Sequence, residues 1–473
     1  MQDILSTGRG PTTPLISLSL SPPPEERTTT RLPGWLSANA VEEIECVTPD
    51  FAGIARGKVM PTSKFAQFPP VYLPTSLFFL TITGGYPDID NFDAYDTDAD
   101  LWLRPDLATA RSVPWANDRS VQVIHDVCDR EGRLIDFAPR SVLHRVVDAY
   151  AARGWKPVVA PEIEFYLTRP NIDSDYPLEP PAGRSGRAPQ KAQAYSISAV
   201  DEYDTVIEHI YDYAEAQGLE IDTIIQEAGA AQLEVNLRHG DPMELADQVF
   251  LFKRLIREAA LRCGLYATFM AKPHAEQPGS ALHIHQSVVD LETGRPLFST
   301  ETGEASALFH HFLGGQQTYL RPATCLLAPY VNSYRRLVPG LTAPINLDWG
   351  RDNRTTGLRV PIAEPVARRV ENRVVGADAN PYLAIAATLA AGFLGMTEGI
   401  APREEVRTDS YARERGLPYG LLQAIEELQR CDPLRGVLGE GFCALYAAVK
   451  LHEYEEFMRV ISPWEREHLL LNV

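Results

Sequence analysis

Cysteine is scarce in this sequence, and basic residues are fewer than acidic ones. The 473 residues include six cysteines, which stand singly and form no CxxC pair. This pattern predicts reduced thiols in a cytoplasmic protein rather than a disulfide framework. Lys and Arg number 44 against 63 Asp and Glu, which gives a formal net charge of -19. Because such a surface repels nucleic-acid phosphates, we expect no nucleic-acid partner.

Long apolar runs and nucleotide-binding glycine loops are also missing. No stretch of about 18 apolar residues occurs, which predicts no membrane-spanning helix and no membrane partner. Residues 1–34 lack a charged segment followed by an apolar core, so they are interpreted as a disordered tail rather than a signal peptide. The patterns GxxxxGKS/T and GxGxxG do not occur, which excludes the two common types of nucleotide site.

Two carboxylates interrupt a strand that otherwise looks internal. The segment VVAPEIEFYL, residues 158–167, is rich in β-branched and apolar residues, and this composition predicts a buried strand. Glu162 and Glu164 lie two positions apart in it, so their side chains share one face. The segment QEAGAAQLE places Glu227 and Glu234 on either side of a small-residue turn. If this segment forms two antiparallel strands, all four acids can face one cavity.

Further polar residues interrupt apolar stretches later in the chain. His283 and His285 in GSALHIHQS are two positions apart, as are Glu371 and Arg373 in RRVENRV. Burying one ionised carboxylate without a partner costs several kcal/mol. The set of acids therefore predicts bound Mg²⁺ or Mn²⁺, which take carboxylate oxygens and tolerate an imidazole. Arginines concentrated between residues 335 and 369 suggest an anionic ligand, and ATP with an acidic co-substrate fits best.

Each of these features alone has a simpler explanation. Acids on an edge strand or a surface hairpin are often solvated. A single HxH pair is more often a satisfied core or surface histidine than a metal ligand, and an Arg-rich loop is usually solvated or ion-paired. Their occurrence together, in one order along one chain, favours a binding site.

Six segments resemble motifs of the glutamine synthetase superfamily and occur in the order of that family. They are PEIEFYL, QEAGAAQLE, GSALHIHQS, NSYRRLVPG, NRTTGLRVP, and RRVENR followed by DANPYLAIAA. The resemblance runs from about residue 41 to the C-terminus and implies an α+β fold. It implies an N-terminal β-grasp domain over residues 35–134, and a catalytic domain of antiparallel strands ringed by helices over residues 135–473. It also implies a homo-oligomer, commonly a dodecamer of two hexameric rings, with active sites between subunits.

The resemblance further implies two Mg²⁺ or Mn²⁺ ions per active site and ATP as co-substrate. The implied metal ligands are Glu164, Glu227 and Glu234 for one ion, and Glu162, His283 and Glu371 for the other. The implied substrate contacts are Gly279, Arg336 and Arg373 for glutamate, and His285, Ser287 and Arg359 for ATP. Arg354 would neutralise charge on the transferred phosphoryl group. Asp50 would act in the active site of a neighbouring subunit, where it would bind and deprotonate the amine.

The sequence departs from the family pattern near the substrates. Thr342 stands where glutamine synthetases have a flap glutamate that helps bind ammonium. Pro278 replaces an asparagine that contacts glutamate, Ala281 replaces a glycine, and Val366 replaces a lysine on the ATP side. Loss of the flap acid removes a charge and leaves space, which suits a larger amine than ammonia.

These departures favour a glutamate–amine ligase that acts through a γ-glutamyl phosphate. Segments including MAKPHAEQPGSALHIHQSVVD are similar to glutamate–putrescine ligases, so putrescine or a related amine is the expected substrate. Candidates to receive its distal ammonium are Asp50, Glu42, Glu43 and the acidic segment 88–100. The alternatives are a glutamine synthetase that uses ammonia and a catalytically inactive family member.

Overall fold

The computed structural model describes residues 21–87, 97–189 and 193–473, which form an α+β structure with two sheets. The strands are β1 (Glu43–Pro49), β2 (Ala55–Pro61), β3 (Val71–Pro74), β4 (Asp100–Pro105), β5 (Arg111–Ser112), β6 (Ser120–Cys128), β7 (Trp155–Thr168), β8 (Ile221–Gln226), β9 (Gln232–Leu237), β10 (Tyr266–Thr268), β11 (Leu282–Asp290), β12 (Trp349–Arg351), β13 (Leu358–Val360) and β14 (Val370–Asn372).

Helices in the described ranges are concentrated in the second half of the chain. They are α1 (Leu32–Ala38), α2 (Thr62–Phe65), α3 (Pro139–Ala151), α4 (Ile197–Asp201), α5 (Asp204–Gln217), α6 (Pro242–Arg262), α7 (Ala307–Tyr319), α8 (Thr324–Leu327), α9 (Val331–Arg336), α10 (Pro381–Glu398), α11 (Leu421–Gln429), α12 (Asp432–Leu438), α13 (Glu440–Met458) and α14 (Pro463–Leu469). None of the helices in these ranges combines the length and apolar character that a bilayer crossing requires.

The N-terminal sheet has six strands in the order β2-β1-β6-β4-β3, with β5 paired to β6. Strands β1 and β6 run parallel, while the other pairs are antiparallel. The segment 41–61 supplies the hairpin of β1 and β2, and the segments 101–105 and 121–128 belong to β4 and β6.

The segment 21–34 differs from the disordered tail expected up to residue 34. The Ser21 hydroxyl donates to the Ala216 carbonyl at 2.7 Å, and Leu32 begins α1 and is fully buried. The first 20 residues lie outside the described ranges.

The larger sheet has eight strands in the order β12-β13-β14-β11-β7-β9-β8, with β10 paired to β7. All its pairs are antiparallel except β12 with β13, so the sheet is mixed rather than purely antiparallel. The turn between β8 and β9 confirms the two antiparallel strands expected around residues 224–237. Because β7 lies near the centre of the sheet, its polar residues face side chains from neighbours on both sides.

Apolar periodicity defines the buried face of α5, which packs against α6. In α5 the buried face includes Val206, Ile207 and Ile210, and Gly218 ends the helix at φ 61°. Tyr211 is 43% exposed, whereas Tyr213 is buried. Successive residues of an α-helix are rotated by about 100°, which places position 213 close to Val206 and Ile210 and position 211 further from them.

Helix α10 is apolar on all sides and almost entirely buried. Its N-cap Asn380 accepts hydrogen bonds from the Tyr382 and Leu383 amides. The Asn380 side chain also donates to the Asp50 carbonyl at 2.8 Å, which ties the β1–β2 hairpin to this core helix.

A second tie between the two parts of the chain is made by Arg140 at the start of α3. Its buried guanidinium pairs with Asp106, Asp126 and Asp247. Asp126 lies on β6 of the N-terminal sheet, whereas Asp247 lies on α6, which packs against β7 of the larger sheet. The Arg140 side chain therefore links the N-terminal sheet to a helix that packs against the larger sheet.

Candidate active site

Sheet register brings the acids expected from the sequence together. Glu164 on β7 is the register partner of Glu234 on β9. On the other side of β7, Glu162 is the partner of His283 on β11, and His285 is the partner of Glu371 on β14. Four strands therefore present their polar residues on one face at one place.

One cluster consists of Glu164, Glu227 and Glu234, each of which offers a carboxylate oxygen within 4.8 Å of the others. Burial raises the pKa of Glu164 to about 8, and the charge of Glu227 adds to the effect. Burial, with the charges of Glu164 and Glu162, raises the pKa of Glu234 to about 10. Burial likewise raises the pKa of Glu227. These acids resist ionisation together unless a cation compensates for their charge.

A second cluster surrounds Glu162. The Glu162 Oε2 lies 3.5 Å from His283 Nδ1, which lies 3.9 Å from Glu371 Oε1. His285, expected on the ATP side, also belongs here, since its Nε2 lies 2.9 Å from Glu162 Oε1. Potential ligand atoms within 4.8 Å of one another occur in the sets Glu162, His283 and Glu234, and Glu162, His285 and Glu371.

The two acids of this second cluster, Glu162 and Glu371, favour their ionised forms. Burial opposes the charge on Glu162, but hydrogen bonds from His283 and His285 outweigh it and hold the pKa of Glu162 far below its usual range. Burial also opposes the charge on Glu371, but the adjacent Arg373 guanidinium lowers the pKa of Glu371 to about 2. Burial, with the charge of Arg373, lowers the pKa of His283 to about 4. His283 is therefore a neutral imidazole near pH 7, the form that binds metals.

The donor set fits hard divalent cations. Carboxylate oxygens dominate both clusters, with imidazole nitrogen only in the second, and this combination suits Mg²⁺ or Mn²⁺. The first cluster also places raised-pKa acids side by side in a buried site, an arrangement that a cation would relieve. All six residues expected as metal ligands, five glutamates and His283, line one cavity of about 530 Å³.

Three of the expected arginines line the same cavity. Arg359 and Arg373 both pair with Glu371, with a distance of 2.7 Å for Arg359. Arg354 is exposed, and its guanidinium donates to the Tyr195 hydroxyl at 3.3 Å. Arg336 is different, because it does not line the cavity. It is 3% exposed and donates to the carbonyls of Val374 and Arg373 at 2.8 and 2.9 Å, so it supports the segment after β14 that carries Arg373.

Gly279 lies where only glycine fits. A Cβ at this position would lie 2.4 Å from the Ala271 carbonyl oxygen and 2.6 Å from Arg336 Cγ. The preceding Pro278 carbonyl accepts a hydrogen bond from the Tyr166 hydroxyl at 2.8 Å. The backbone of this loop is therefore held close to the sheet that carries the acids.

A second cavity, of about 750 Å³, adjoins the first. His285 and Ser287, both expected to contact ATP, line it together with Val366 and Arg369. Glu162 and Asn236 line both cavities, so the second cluster lies at their junction. Arg359, also expected on the ATP side, lines the first cavity instead.

Asp50 does not join this site within its own chain. It lies between β1 and β2, is 2% exposed, and accepts hydrogen bonds from the Ile54 amide and the Arg56 Nε, each at 2.8 Å. Its role on the amine remains a prediction that depends on a neighbouring copy. Of the other acids considered for the distal ammonium, Glu43 is the first residue of β1 and Glu42 immediately precedes it. Residues 88–96 lie outside the described ranges.

Sequence reasoning missed several cavity residues, among them Tyr195, Asn236, Thr355 and Tyr411. Tyr195 adopts φ 61°, which is unusual for a residue other than glycine, and directs its hydroxyl to Arg354. Asn236 could have been found, because it follows Glu234 by two positions on the same strand face. Tyr195 lies in a turn and Tyr411 in the three-residue 3-10 helix Ser410–Ala412, and neither segment is long enough for a periodic pattern to mark the direction of a side chain.

Comparison with known proteins identifies the family. The model of the glutamine synthetase catalytic domain matches residues 136–469. The chain belongs to the glutamine synthetase family. Within this family it is 36% identical over 437 residues to gamma-glutamylputrescine synthetase PuuA of Escherichia coli strain K12, with 91% of this chain and 92% of that protein covered. The family's fold and catalytic-domain type expected from the sequence are thereby confirmed.

One further similar relative is named for a different amine. Glutamate–isopropylamine ligase of Pseudomonas sp. is 29% identical, with 91% of this chain and 95% of that protein covered. Glutamine synthetase of Halobacterium salinarum is 32% identical, with 91% and 95% covered. Among solved structures, apo GmaS without ligand superposes with a TM-score of 0.80 at 28% identity, and the match covers 93% of this chain and 100% of that one.

Proposed function

We propose that this protein is an ATP-dependent ligase that joins the γ-carboxylate of L-glutamate to an amine, with putrescine or a related polyamine or monoamine as the amine. The observation that carries the proposal is the cavity itself. It combines two acid clusters with Arg354, Arg359 and Arg373, and has Thr342 where an ammonia-specific site has a flap glutamate. The two amine ligases named among the similar relatives support the same reaction type.

Two Mg²⁺ or Mn²⁺ ions complete the proposed site. Glu164, Glu227 and Glu234 would hold one ion, and Glu162, His283 and Glu371 the other. When bound, these ions neutralise phosphate charge and make the phosphoryl group easier to transfer. His285 contacts Glu162, so we propose that it orients this ligand as well as facing ATP.

The chain's own groups bind and orient the two substrates. We propose that ATP occupies the larger cavity beside His285 and Ser287, with its phosphates at the junction near Glu162. Glutamate would lie in the smaller cavity against Arg373, while Arg336, which packs against Gly279, holds the backbone of Arg373. Gly279 does not line this cavity, so its contact with glutamate remains a prediction. Arg354 and Arg359 line the region where phosphoryl charge develops, and their guanidinium forks suit phosphate oxygens.

The reaction then proceeds in two balanced steps. A γ-carboxylate oxygen of glutamate attacks the terminal phosphorus of ATP, which gives γ-glutamyl phosphate and ADP. The uncharged amine nitrogen next attacks the acyl carbon, a C–N bond forms, and inorganic phosphate leaves. The amine nitrogen loses a proton in this step, and we propose that Asp50 of a neighbouring copy receives it. The need for activation is chemical, because a carboxylate has no acceptable leaving group until it is phosphorylated.

An assembly of several copies is part of this proposal. Asp50 lies away from its own chain's cavity, so it can serve catalysis only through a neighbour. The C-terminal segment 457–473 supports assembly, because apolar side chains there are exposed, with Trp464 at 62% and Leu471 at 91%. We propose a homo-oligomer, with a dodecamer of two hexameric rings as the expected form. The free cysteines suit a reducing cytoplasm.

A specific observation keeps glutamine synthesis as the second candidate. Several similar relatives are named glutamine synthetase, including one that is 32% identical over 444 residues.

Phosphate release should be measured with glutamate, ATP and a panel comprising ammonium, methylamine, isopropylamine, ethanolamine, putrescine and spermidine. We expect an organic amine to give the highest kcat/KM. If ammonium exceeds every amine, glutamine synthesis is the function, and if no amine supports turnover, the ligase proposal is wrong.

A further inference from the structure

Gln232, the first residue of β9, is buried with every part of its amide engaged. Its side chain is 1% exposed. The Nε2 group donates to Glu164 Oε2 at 3.2 Å and to the Gly279 carbonyl at 3.1 Å, and lies 3.4 Å from the Ser280 hydroxyl. The Oε1 atom accepts from the Gly229 amide at 2.9 Å. One side chain therefore contacts a central strand, the loop at Gly279 and the β8–β9 turn.

The contact with Glu164 fixes the orientation of a carboxylate in the first acid cluster. Glu164 Oε2 accepts a second hydrogen bond from the Ala281 amide at 2.8 Å. Within the described ranges, Oε1 of Glu164 accepts no hydrogen bond. Two donors thus hold one oxygen and leave the other free for a ligand. The contact with Gly229 acts on the same cluster, because Gly229 follows Glu227 by two positions in the turn.

The contact with Gly279 reaches the loop that is predicted to contact glutamate. Gly279 has no space for a side chain, so its backbone position depends on the groups packed against it. Gln277 supplies a separate link between this loop and the turn, since its Oε1 accepts from the Ala230 amide at 2.6 Å. Among the described residues, Gln277 makes no hydrogen bond to Glu164. Both glutamines therefore link the Gly279 loop to the β8–β9 turn, but only Gln232 contacts the acid cluster.

We propose that Gln232 is a positioning residue that couples the orientation of Glu164 to the position of the Gly279 loop. The proposal rests on the proposed function, in which these two elements bind a metal ion and glutamate. Only an amide suits the position, because it must donate to a carboxylate and a carbonyl while accepting from an amide. A carboxylate cannot donate in this way when ionised, and an apolar side chain can do neither.

Gln232→Met tests this coupling, since it keeps the volume and removes all three hydrogen bonds. Mn²⁺ binding should be measured by electron paramagnetic resonance of free Mn²⁺ without substrates, and the KM for glutamate separately. Loss of a group that orients a metal ligand weakens metal affinity by about 10–100-fold. We expect the Kd of one class of Mn²⁺ sites to rise by this factor and the KM for glutamate to rise with it.

Gln217→Met is the matched control. Gln217 is also fully buried, but it donates to the Ser112 carbonyl at 2.9 Å, at the end of α5, and lines neither cavity. We expect Gln217→Met to lower the midpoint of thermal unfolding without changing Mn²⁺ affinity or the KM for glutamate.

Gln277→Met provides a second test, because it removes only the link between the Gly279 loop and the β8–β9 turn. It should raise the KM for glutamate and leave Mn²⁺ binding unchanged.

The possible results distinguish failure of the proposal for Gln232 from failure of the proposed ligase function. Wild-type Mn²⁺ affinity and glutamate KM in Gln232→Met would overturn the proposal, as would an equal change in Gln217→Met. If Gln232→Met does not fold, Gln232→Glu replaces it, because an ionised carboxylate of similar shape cannot donate to Glu164 or Gly279, and wild-type Mn²⁺ affinity and glutamate KM in that variant overturn the proposal. If the wild type turns over no amine but Gln232→Met still weakens Mn²⁺ binding, the proposed function fails and the positioning of Glu164 stands.

Discussion

Glu164 and Glu234 face each other as register partners on two adjacent antiparallel strands, β7 and β9. Both side chains are only 6% exposed. Side chains that are directly opposite on such strands have Cβ atoms about 4.5–5.5 Å apart, and like charges there destabilise the pair. Without a cation, the protein can relieve this repulsion only by keeping protons on the pair.

This arrangement predicts how metal and pH affect stability. The pKa of Glu164 is raised to about 8 and that of Glu234 to about 10, from a usual value of 4.5. Between the usual and the raised values, the folded state binds more protons than the unfolded state, so stability falls as pH rises. We expect the midpoint of thermal unfolding in EDTA to fall from about pH 5 to about pH 9, and Mn²⁺ to restore it most at the alkaline end.

Glu234→Gln is the control for this prediction, because it removes one of the two opposing acids. We expect its unfolding midpoint in EDTA to depend less on pH than that of the wild type. A wild-type midpoint that rises with pH over this range, or a variant with the same slope, would contradict the assignment of this effect to the pair.

Much of the site is predictable because period-two patterns on strands fix which side chains share a face. That rule alone places Glu162 with Glu164 and His283 with His285. Sheet order is harder, because Glu371 reaches the site through a three-residue strand, β14, that is too short to show a period.

The position of Arg336 shows what a motif leaves undetermined. The expectation that Arg336 contacts glutamate rests on its place in the segment NSYRRLVPG. Its burial and its hydrogen bonds to backbone carbonyls depend on packing against Gly279, more than 50 residues earlier in the chain. No local pattern encodes such a long-range contact.

Glu227→Gln should abolish ligase activity while leaving the fold intact. Glu227 lies in the β8–β9 turn, is half-buried, and belongs to the first acid cluster. Removing its charge weakens the proposed metal site but also lessens repulsion among the three acids. We expect at least about a 100-fold loss of kcat, with an unchanged or higher unfolding midpoint in EDTA.

The control for Glu227→Gln is Glu220→Gln on the exposed surface. Glu220 is 74% exposed and pairs with Arg238 outside the acid clusters. Its replacement should change neither kcat nor Mn²⁺ binding. Full activity in a folded Glu227→Gln protein would refute the assignment of Glu227 as a metal ligand.

Arg354→Lys should reduce catalysis with little effect on stability. Arg354 is exposed at the cavity and its guanidinium donates to the Tyr195 hydroxyl. Lysine keeps the charge but loses the planar fork that suits phosphate oxygens. We expect kcat to fall by about 100-fold or more, measured as phosphate release at saturating glutamate and amine. Arg351→Lys, whose side chain pairs with Glu405 and does not line the cavity, should retain wild-type kcat.

Arg140→Met should destabilise the protein through charge rather than catalysis. The buried Arg140 guanidinium is the shared partner of Asp106, Asp126 and Asp247. Its loss leaves three carboxylates without their cation, and breaking a buried pair costs about 3–5 kcal/mol. Thermal unfolding should show a large decrease in midpoint. Arg133→Met, whose side chain is 76% exposed, should change stability by less than about 0.5 kcal/mol.

Thr342→Glu tests what decides between ammonia and a larger amine. Thr342 lines the cavity with an exposed, uncharged side chain at φ 66°, a backbone conformation that a β-branched residue rarely adopts. A glutamate there would add a negative charge for ammonium and fill space that an alkyl chain would use. We expect kcat/KM for ammonium to rise by at least about tenfold relative to that for the preferred amine, which corresponds to about 1.4 kcal/mol.

Thr302→Glu, in an exposed turn away from both cavities, is the matched control and should leave the ratio unchanged. A ratio that does not move in Thr342→Glu would mean that amine choice is determined elsewhere, and Asp50 of the neighbouring copy would be the next residue to replace.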